Sequence, residues 1–239
     1  MKKIIVSICG WLLAGTLSAQ QVNDPNAELR DAKNFHSIKV SSAFDVYLTQ
    51  GNEETVAVSA SDEKFKEHIK VEVDAGVLRI WLDADKKFWK GWNTGKMKLR
   101  AYISFKTLEK LEASGACDLN IVGVIKSDDL KIDLSGASDL KGKLDIGKLA
   151  IQMSGASDAN VSGRVAQLKA DLSGACDFKG YDLETEYCDV DASGASGMKI
   201  TVNKELTADL SGASDLYYKG SGLIREIKTS GSSKISRKS

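Results

Sequence analysis

Aspartates recur at a fixed place in the second half of this 239-residue chain, and evenly spaced carboxylates could do chemistry. Asp139, Asp158 and Asp177 each end a short phrase, Ser-Gly-Ala-Ser-Asp or its variant with Cys in fourth place. If successive phrases stack as coils, neighbouring carboxylates lie ~5 Å apart, which is near the separation of the paired carboxylates in retaining glycosidases. Such a column could form a hydrolase or lyase groove, or a ladder for cations.

The alternative for this column is structural. A catalytic pair needs two carboxylates in different environments, whereas these aspartates recur in equivalent ones. An aspartate in a turn can instead accept hydrogen bonds from nearby backbone N–H groups. The regular repetition favours this second interpretation, a repeated turn cap, over catalysis.

A second candidate is the aromatic and basic segment Lys86–Trp92. Phe88, Trp89 and Trp92 are interleaved there with lysines, and such side chains can stack on sugar rings or lie at a lipid headgroup layer. The alternative is a cap, because the open end of a stack of strands must be covered. A cap or ordinary packing is favoured, and ligand contact through Trp89 and Trp92 is the competing hypothesis.

Other familiar sites are missing from the sequence. The two histidines, His36 and His68, have no metal-ligand spacing with each other or with a cysteine. No serine lies in a Gly-x-Ser-x-Gly elbow. The glycine of the phrase comes once per repeat, and the glycines are not clustered before a helix, as a phosphate-binding loop requires. We therefore predict no catalytic residue, no metal and no cofactor.

The phrase that carries the aspartates is part of a long repeat. Its copies begin at intervals of 21, 19, 19, 20, 18 and 19 residues. Between copies, as in Leu130–Leu134, apolar and polar residues alternate with the period of two that a half-buried strand requires. A fixed period indicates stacked units that bury their apolar faces against each other. The copies begin at Ser114, Ser135, Ser154, Ser173, Ser193, Ser211 and Ser230.

Each residue of the phrase suits a tight corner between strands. Glycine allows a positive φ or a close backbone approach, and the alanine that usually follows it is small. A looser turn, such as Asp145–Lys148, is expected on the opposite side of the coil. The varying intervals do not fit a hexapeptide helix, and a propeller blade needs about twice this period. The sequence thus predicts an all-β fold, a right-handed parallel β-helix of ~19-residue coils. Its predicted corner glycines are Gly115, Gly136, Gly155, Gly174, Gly194 and Gly212.

A non-repetitive β section is predicted from residue 35 to residue 110, before the repeats at 111–236. Alternating residues predict strands at 36–40, 44–49, 55–60, 69–73, 77–82 and 97–104. Asp74-Ala75-Gly76 separates two of them as a hairpin turn would, and only 61–67 could form a helical turn. Residues 20–34 are predicted to be a leader, of which residues 20–31, with the only proline, are predicted to be mobile.

Residues 1–19 have the three parts of a secretory signal: a basic start, an apolar run and a small residue before the predicted cleavage site. The apolar run is shorter than the ~20 residues that a membrane-spanning helix needs. The remaining chain has 31 basic and 33 acidic side chains, a net charge of −2, which gives no electrostatic reason to expect nucleic acid. We predict export to the periplasm, the outer-membrane surface or the medium, without a transmembrane segment.

Three cysteines follow the predicted signal, Cys117, Cys176 and Cys188. Cys117 and Cys176 both take the fourth position of the phrase, three copies apart, so stacking at ~4.8 Å separates them by ~14 Å, beyond the reach of a disulfide. We expect both to be small, buried or half-buried substitutes for the serine found there in other copies.

The chain resembles a family of secreted Bacteroidetes domains of unknown function, the putative auto-transporter adhesin head domain. The resemblance rests on Phe35–Val40, Phe44–Gly51, Gly76–Ile80 and the repeated phrase, and it covers nearly all of the mature chain. The Gly-Ile-Asn triplet that gives this family its name is absent, and Gly-Ala followed by Ser or Cys and Asp stands in its place. The resemblance implies a β-helix like that of pectin lyases, without their catalytic residues, and a role in adhesion.

Three functions compete at this point. The favoured one is an exported, non-enzymatic protein that binds a glycan or a cell-surface protein through the flank of its stacked coils. The second is a polysaccharide lyase or glycosidase that uses the aspartate column, and the third is a purely structural envelope component. Self-association through the ends of the helix is left open.

Overall fold

The computed structural model describes residues 24–83 and 97–238. The predicted signal and the aromatic candidates Phe88, Trp89 and Trp92 therefore lie outside the described residues. Within them the chain is nearly all β, with one short helix. In chain order the elements are β1 Glu28–Arg30, β2 Ser37–Ser42, β3 Phe44–Gln50, β4 Thr55–Ala60, α1 Glu63–Lys66, β5 Ile69–Asp74, β6 Val77–Leu82, β7 Leu99–Phe105, β8 Lys110–Gly115, β9 Asp118–Leu134, β10 Asp139–Met153, β11 Asp158–Leu172, β12 Asp177–Ala192, β13 Gly197–Leu210, β14 Asp215–Lys219, β15 Leu223–Thr229 and β16 Lys234–Arg237.

The repeats form a parallel β-solenoid of about seven turns, with coils about 19 residues apart. Each long strand runs from one glycine corner almost to the next. β10 and β11, for example, pair in parallel from Asp139↔Asp158 to Met153↔Leu172. Inward side chains of successive coils stack into one continuous apolar core. The prediction of an all-β, parallel solenoid with coils of this length is confirmed.

The glycine corners stack directly on one another. Gly155 has φ +79°, and a Cβ atom added to it would lie 2.4 Å from the carbonyl oxygen of Gly136 in the coil before. The same carbonyl accepts a hydrogen bond of 2.8 Å from the backbone N–H of Ala156. Because both the positive φ and the close approach exclude a side chain, only glycine fits this position.

The fourth residue of the phrase forms a hydrogen bond within each corner, on its buried side. The buried Ser157 hydroxyl donates to the backbone carbonyl of Ser154 at 3.0 Å. In the next coil the Cys176 thiol reaches the equivalent carbonyl of Ser173 at 3.3 Å. Cys117, Cys176 and Cys188 are all free and buried. The prediction that Cys117 and Cys176 replace serine as small buried residues is confirmed.

Coils of different length differ mainly at one place, which we call the bulged bend: the turn that follows the first few residues after each corner. In the 21-residue coil, Asn120 and Val124 pair with Lys141 and Lys143, so two extra residues bulge out between them. In the 20-residue coil, one extra residue lies between Lys179 and Leu183. The rest of each of these coils keeps its register with its neighbours.

The first section continues the solenoid and also covers its end. β3 pairs in parallel with β9, and β2 pairs in parallel with β6 and β8. β4 then pairs antiparallel with β7, and β5 with β6. Ala75 and Gly76 have φ +48° and +77°, as a tight hairpin turn requires. The predicted strands, the hairpin and the helical turn are confirmed.

Part of the predicted leader is held against this section. β1 pairs antiparallel with β4. The Asp24 side chain is only 8% exposed, and its carboxylate lies 3.1 Å from Arg100 and 3.0 Å from the Tyr102 hydroxyl. Burial alone would raise the pKa of Asp24, but hydrogen bonds from Ser59, a backbone N–H, Tyr102 and Arg100 together lower it. The prediction of a mobile leader is therefore wrong for residues 24–31.

Candidate functional site

The predicted aspartate column exists as an aligned row on one flank of the solenoid. The strand registers place Asp118, Asp139, Asp158 and Asp177 at the same position of successive coils. Gly197 interrupts the row, and Asp215 resumes it. The column thus has the alignment that both the catalytic and the structural interpretation require.

The environment of the column does not separate an acid from a base. The side chains of Asp139, Asp158 and Asp177 are 37%, 41% and 58% exposed. The Lys179 ammonium lies 3.0 Å from Asp158 and 3.9 Å from Asp177, and Lys141 lies 3.7 Å from Asp139. The hydrogen bond to Asp158 is the main cause that raises the pKa of Lys179. Each carboxylate therefore meets water and a lysine, which gives no pair of unlike carboxylates.

The turn-cap role predicted for these aspartates is wrong. Within the described part of the chain, the side chains that contact the column carboxylates are lysines and a tyrosine. The corner N–H groups bond instead to carbonyls of the preceding coil, as the N–H of Asp158 does to Ser138. The serine or cysteine at the fourth position bonds within the corner, where it donates to the carbonyl of the first residue of the phrase.

The bend opposite the corner forms a long open groove, which we call the coil groove. It has a volume of about 1610 Å³ and crosses the coils from Gln50 and Thr107 at one end to Arg225 at the other. The sequence predicted a loose turn at Asp145–Lys148, and the structure instead bends β10 there without interrupting it. The groove is thus a consequence of stacking the same bend in successive coils.

Small residues line the base of the coil groove. Gly147 and Ala166 are half-buried there, next to the buried side chains of Ile146 and Val165. A Cβ atom added to Gly147 would lie 2.5 Å from the backbone oxygen of Asp128. The base is therefore shallow, backbone-rich and able to admit a ring lying flat along the coils.

Two rows of exposed side chains form the walls. The first wall is Lys126, Asp145 and Arg164, which pair in register on successive coils. The second wall is Asp129, Lys148, Gln167 and Tyr187, which are likewise in register. Among the described residues, none of the five charged side chains of these walls belongs to an ion pair within 4.0 Å. These charges are available to a ligand.

The two ends of the walls are fixed by specific contacts. The Gln50 side chain donates to the backbone oxygens of Lys106 and Lys126 and accepts from the Lys126 N–H at 2.7 Å. Tyr187 is 40% exposed, and the Lys204 ammonium lies 5.3 Å from its ring centroid. Burial raises the pKa of the neighbouring Cys188 thiol, so this cysteine is not a ready nucleophile.

Other chemistry is not assembled in the described ranges. No group of three or more His, Cys, Asp or Glu side chains there is placed to hold a metal ion. No helix in those ranges is long and apolar enough to cross a membrane. The coil groove itself was missed by the sequence analysis, which noted Asp145–Lys148 only as a turn. The sequence signal that could have revealed the groove was a charged position whose sign changes from coil to coil, although the pattern of buried residues around it stays the same.

Comparison with known proteins agrees with the fold. The model of the family described as "Putative auto-transporter adhesin, head GIN domain" matches residues 34–222. No curated protein matches the chain. A crystal structure of a putative adhesin from Bacteroides fragilis is similar to it at 20% identity and TM-score 0.76, covering 88% of this chain and 95% of that one.

Two further crystal structures, both from Parabacteroides, are similar at 18% identity. One is described as a putative lipid binding protein of P. distasonis, with TM-score 0.68 and coverage of 90% of this chain and 98% of that one. The other is a putative adhesin of P. merdae, with TM-score 0.67 and coverage of 89% and 95%. At these identities the likeness concerns the fold, whereas the family match spans most of the sequence. This chain belongs to the family of putative auto-transporter adhesin head (GIN) domains.

Proposed function

We propose that this protein is an exported, non-enzymatic binding module of the cell envelope that holds an extended glycan in its coil groove. The observation that carries the proposal is the groove itself: it is open along its whole length, and the charged side chains of its walls have no ion-pair partner among the residues that the structure describes. A polymer that runs along the solenoid axis could contact successive coils at equivalent places. Membership of a family described as adhesin heads supports a binding role.

Three observations favour binding over catalysis. The aspartates of the column lie in similar, exposed environments, so no carboxylate is set apart as acid or base. The column also lies on a different part of each coil from the groove. The three cysteines are buried, which removes them as nucleophiles.

A lipid ligand is less well matched to this surface. One structural neighbour is described as a putative lipid binding protein. Burial of an acyl chain needs an enclosed, largely apolar cavity. The coil groove is open, and its walls carry Lys126, Asp145 and Lys148 toward solvent.

The test is to incubate the exported protein with envelope polysaccharides and measure both binding and cleavage. We expect binding by calorimetry with no new reducing ends and no unsaturated uronate products. Cleavage that disappears in Asp158→Asn would overturn the proposal in favour of the enzyme. Failure to bind any envelope fraction would leave the purely structural role.

A further inference from the structure

The charges of the coil groove form an alternating pattern that the family description does not anticipate. Along the first wall the sign changes at every coil, from Lys126 to Asp145 to Arg164. Across the groove, Lys126 shares its coil with Asp129, and Asp145 shares the next coil with Lys148. Lys126, Asp129, Asp145 and Lys148 therefore each have an opposite charge beside them along their wall and across the groove, whereas Arg164 faces the neutral Gln167.

This pattern works against a uniformly charged ligand. Coils lie ~4.8 Å apart, which is shorter than the Debye length of ~8 Å in physiological salt, so neighbouring wall charges act together. A polyanion that meets Lys126 favourably must meet Asp145 one coil later. A polymer with groups of both signs can instead place each group beside an opposite charge.

The spacing also distinguishes a glycan from a peptide. Side chains on one face of an extended peptide recur every ~6.6 Å, which drifts out of phase with coils at ~4.8 Å. One sugar ring of an extended β-linked glycan advances by nearly one coil. The six rows from Lys126 to Arg225 span ~24 Å, enough for several rings. Tyr187 offers an exposed aromatic face on which a ring can stack.

We infer that the coil groove binds an extended glycan that carries both ammonium and carboxylate groups, and that it rejects polyanions. This inference rests on the proposed binding function and adds the charge class of its ligand. The five wall charges and the other charged residues that line the groove have no large excess of either sign. Recognition therefore depends on where each charged group of the ligand lies in the alternating pattern, and not on net charge.

The experiment uses four chito-oligosaccharides with one backbone: N-acetylated, free amine, N-acetylated carboxymethyl, and carboxymethyl with free amine. They are neutral, cationic, anionic and of mixed charge. We expect the mixed-charge oligomer to bind the exported protein at least tenfold more tightly than the anionic or the cationic one. Equal binding of all four, or tightest binding of the anionic oligomer, would overturn the inference.

A charge swap then locates the site without changing net charge. Asp145→Lys with Lys148→Asp gives each wall a single sign and should weaken binding of the mixed-charge oligomer at least tenfold. The matched control is Asp139→Lys with Lys141→Asp, one acidic and one basic outward residue on the same strand but on the column flank. This control should bind like the unmodified protein, and thermal unfolding of both variants checks that they fold.

The outcomes separate this inference from the proposed function. If envelope polysaccharides bind and the groove swap leaves that binding unchanged, the inference fails while a binding function stands. If no envelope polysaccharide binds the unmodified protein, both fail. If a charged peptide competes better than the mixed-charge oligomer, the ligand is a polypeptide and the inference is wrong.

Discussion

The glycine corner and the coil groove are opposite bends of the same coils, yet the residues of the corner recur in every coil while those of the groove vary. At the corner, backbone meets backbone at every level, so the residues Gly, Ala and Ser or Cys recur with little change. At the groove, side chains of the walls point to solvent, and Lys126, Asp145 and Arg164 differ in each coil. Repetition therefore marks the part of the molecule that every coil must share, and variation marks the part that is free to acquire specificity.

The largest expected effect is at a corner glycine. In Gly155→Ala the added methyl group would collide with the Gly136 backbone, so we expect a loss of roughly 3 kcal/mol or more in unfolding free energy. Gly123→Ala is the matched control, because Gly123 also has a positive φ but nothing within 4 Å of an added Cβ. It should lose only about 1–2 kcal/mol. Urea denaturation measures both, and equal losses would show that stacking is not the constraint.

The buried hydroxyl of the corner should matter less than the glycine. Ser157→Ala removes the donor to the Ser154 carbonyl, and we expect a loss of about 1–2 kcal/mol. Ser157→Cys keeps a weak donor of similar size, as the chain does at Cys176, and should cost less than the alanine variant. A larger loss for cysteine than for alanine, in the same urea titration, would contradict this account of the corner.

A substitution at Asp24 tests whether side chains outside the repeat also contribute strongly to the unfolding free energy. Asp24→Asn should cost about 1–2 kcal/mol at neutral pH, because the charged hydrogen bonds to Arg100 and Tyr102 are weakened. The pKa of Asp24 is lowered in the fold, so its stabilisation is present above the ordinary value of 3.8 and is lost as pH falls through the folded value.

Unfolding measured from pH 7 down to pH 3 checks this expectation. The difference between the unmodified protein and the variant should be constant at higher pH and shrink in acid. A difference that grows as the pH falls would mean that the carboxylate is not stabilised by these contacts.

The smallest effect is expected at the groove. Asp145→Ser with Lys148→Ser removes two exposed charges that have no ion-pair partner within 4.0 Å in the described chain, so unfolding free energy should change by no more than about 0.5 kcal/mol. Circular dichroism during thermal unfolding is sufficient to measure it. A loss as large as that of Ser157→Ala would make this bend structural and remove the contrast with the corner.

The same contrast explains what the sequence could predict. The corner glycines were predictable, because the physical demand at Gly155 is repeated in every coil and so appears as a motif. The strands of the first section were predictable because alternation fixes which side chains face inward. The role of the aspartates was not predictable, since it depends in part on a lysine of another coil. Lys179 lies two residues after Asp177 but reaches back to Asp158 in the coil before.

The groove and the leader escaped prediction for a different reason. Alternation at Asp145–Lys148 reports burial but not the direction in which a strand bends, and that direction decides between a ridge and a groove. The pairing of β1 with β4 joins residues far apart in sequence, and the run Glu28–Arg30 is too short to show a strand pattern. Asp24 gives no local sign that Arg100 and Tyr102 will surround it.

The bulged bend has a consequence for how such a chain can evolve and be engineered. Because two residues were accommodated between Asn120 and Val124 without disturbing the rest of that coil, a longer insertion there should leave the corner and the groove in place. Gly123 is exposed and has nothing within 4 Å of an added Cβ. An epitope tag or a foreign loop grafted at Gly123 would therefore be displayed on the side of the rod while the coil groove stays intact.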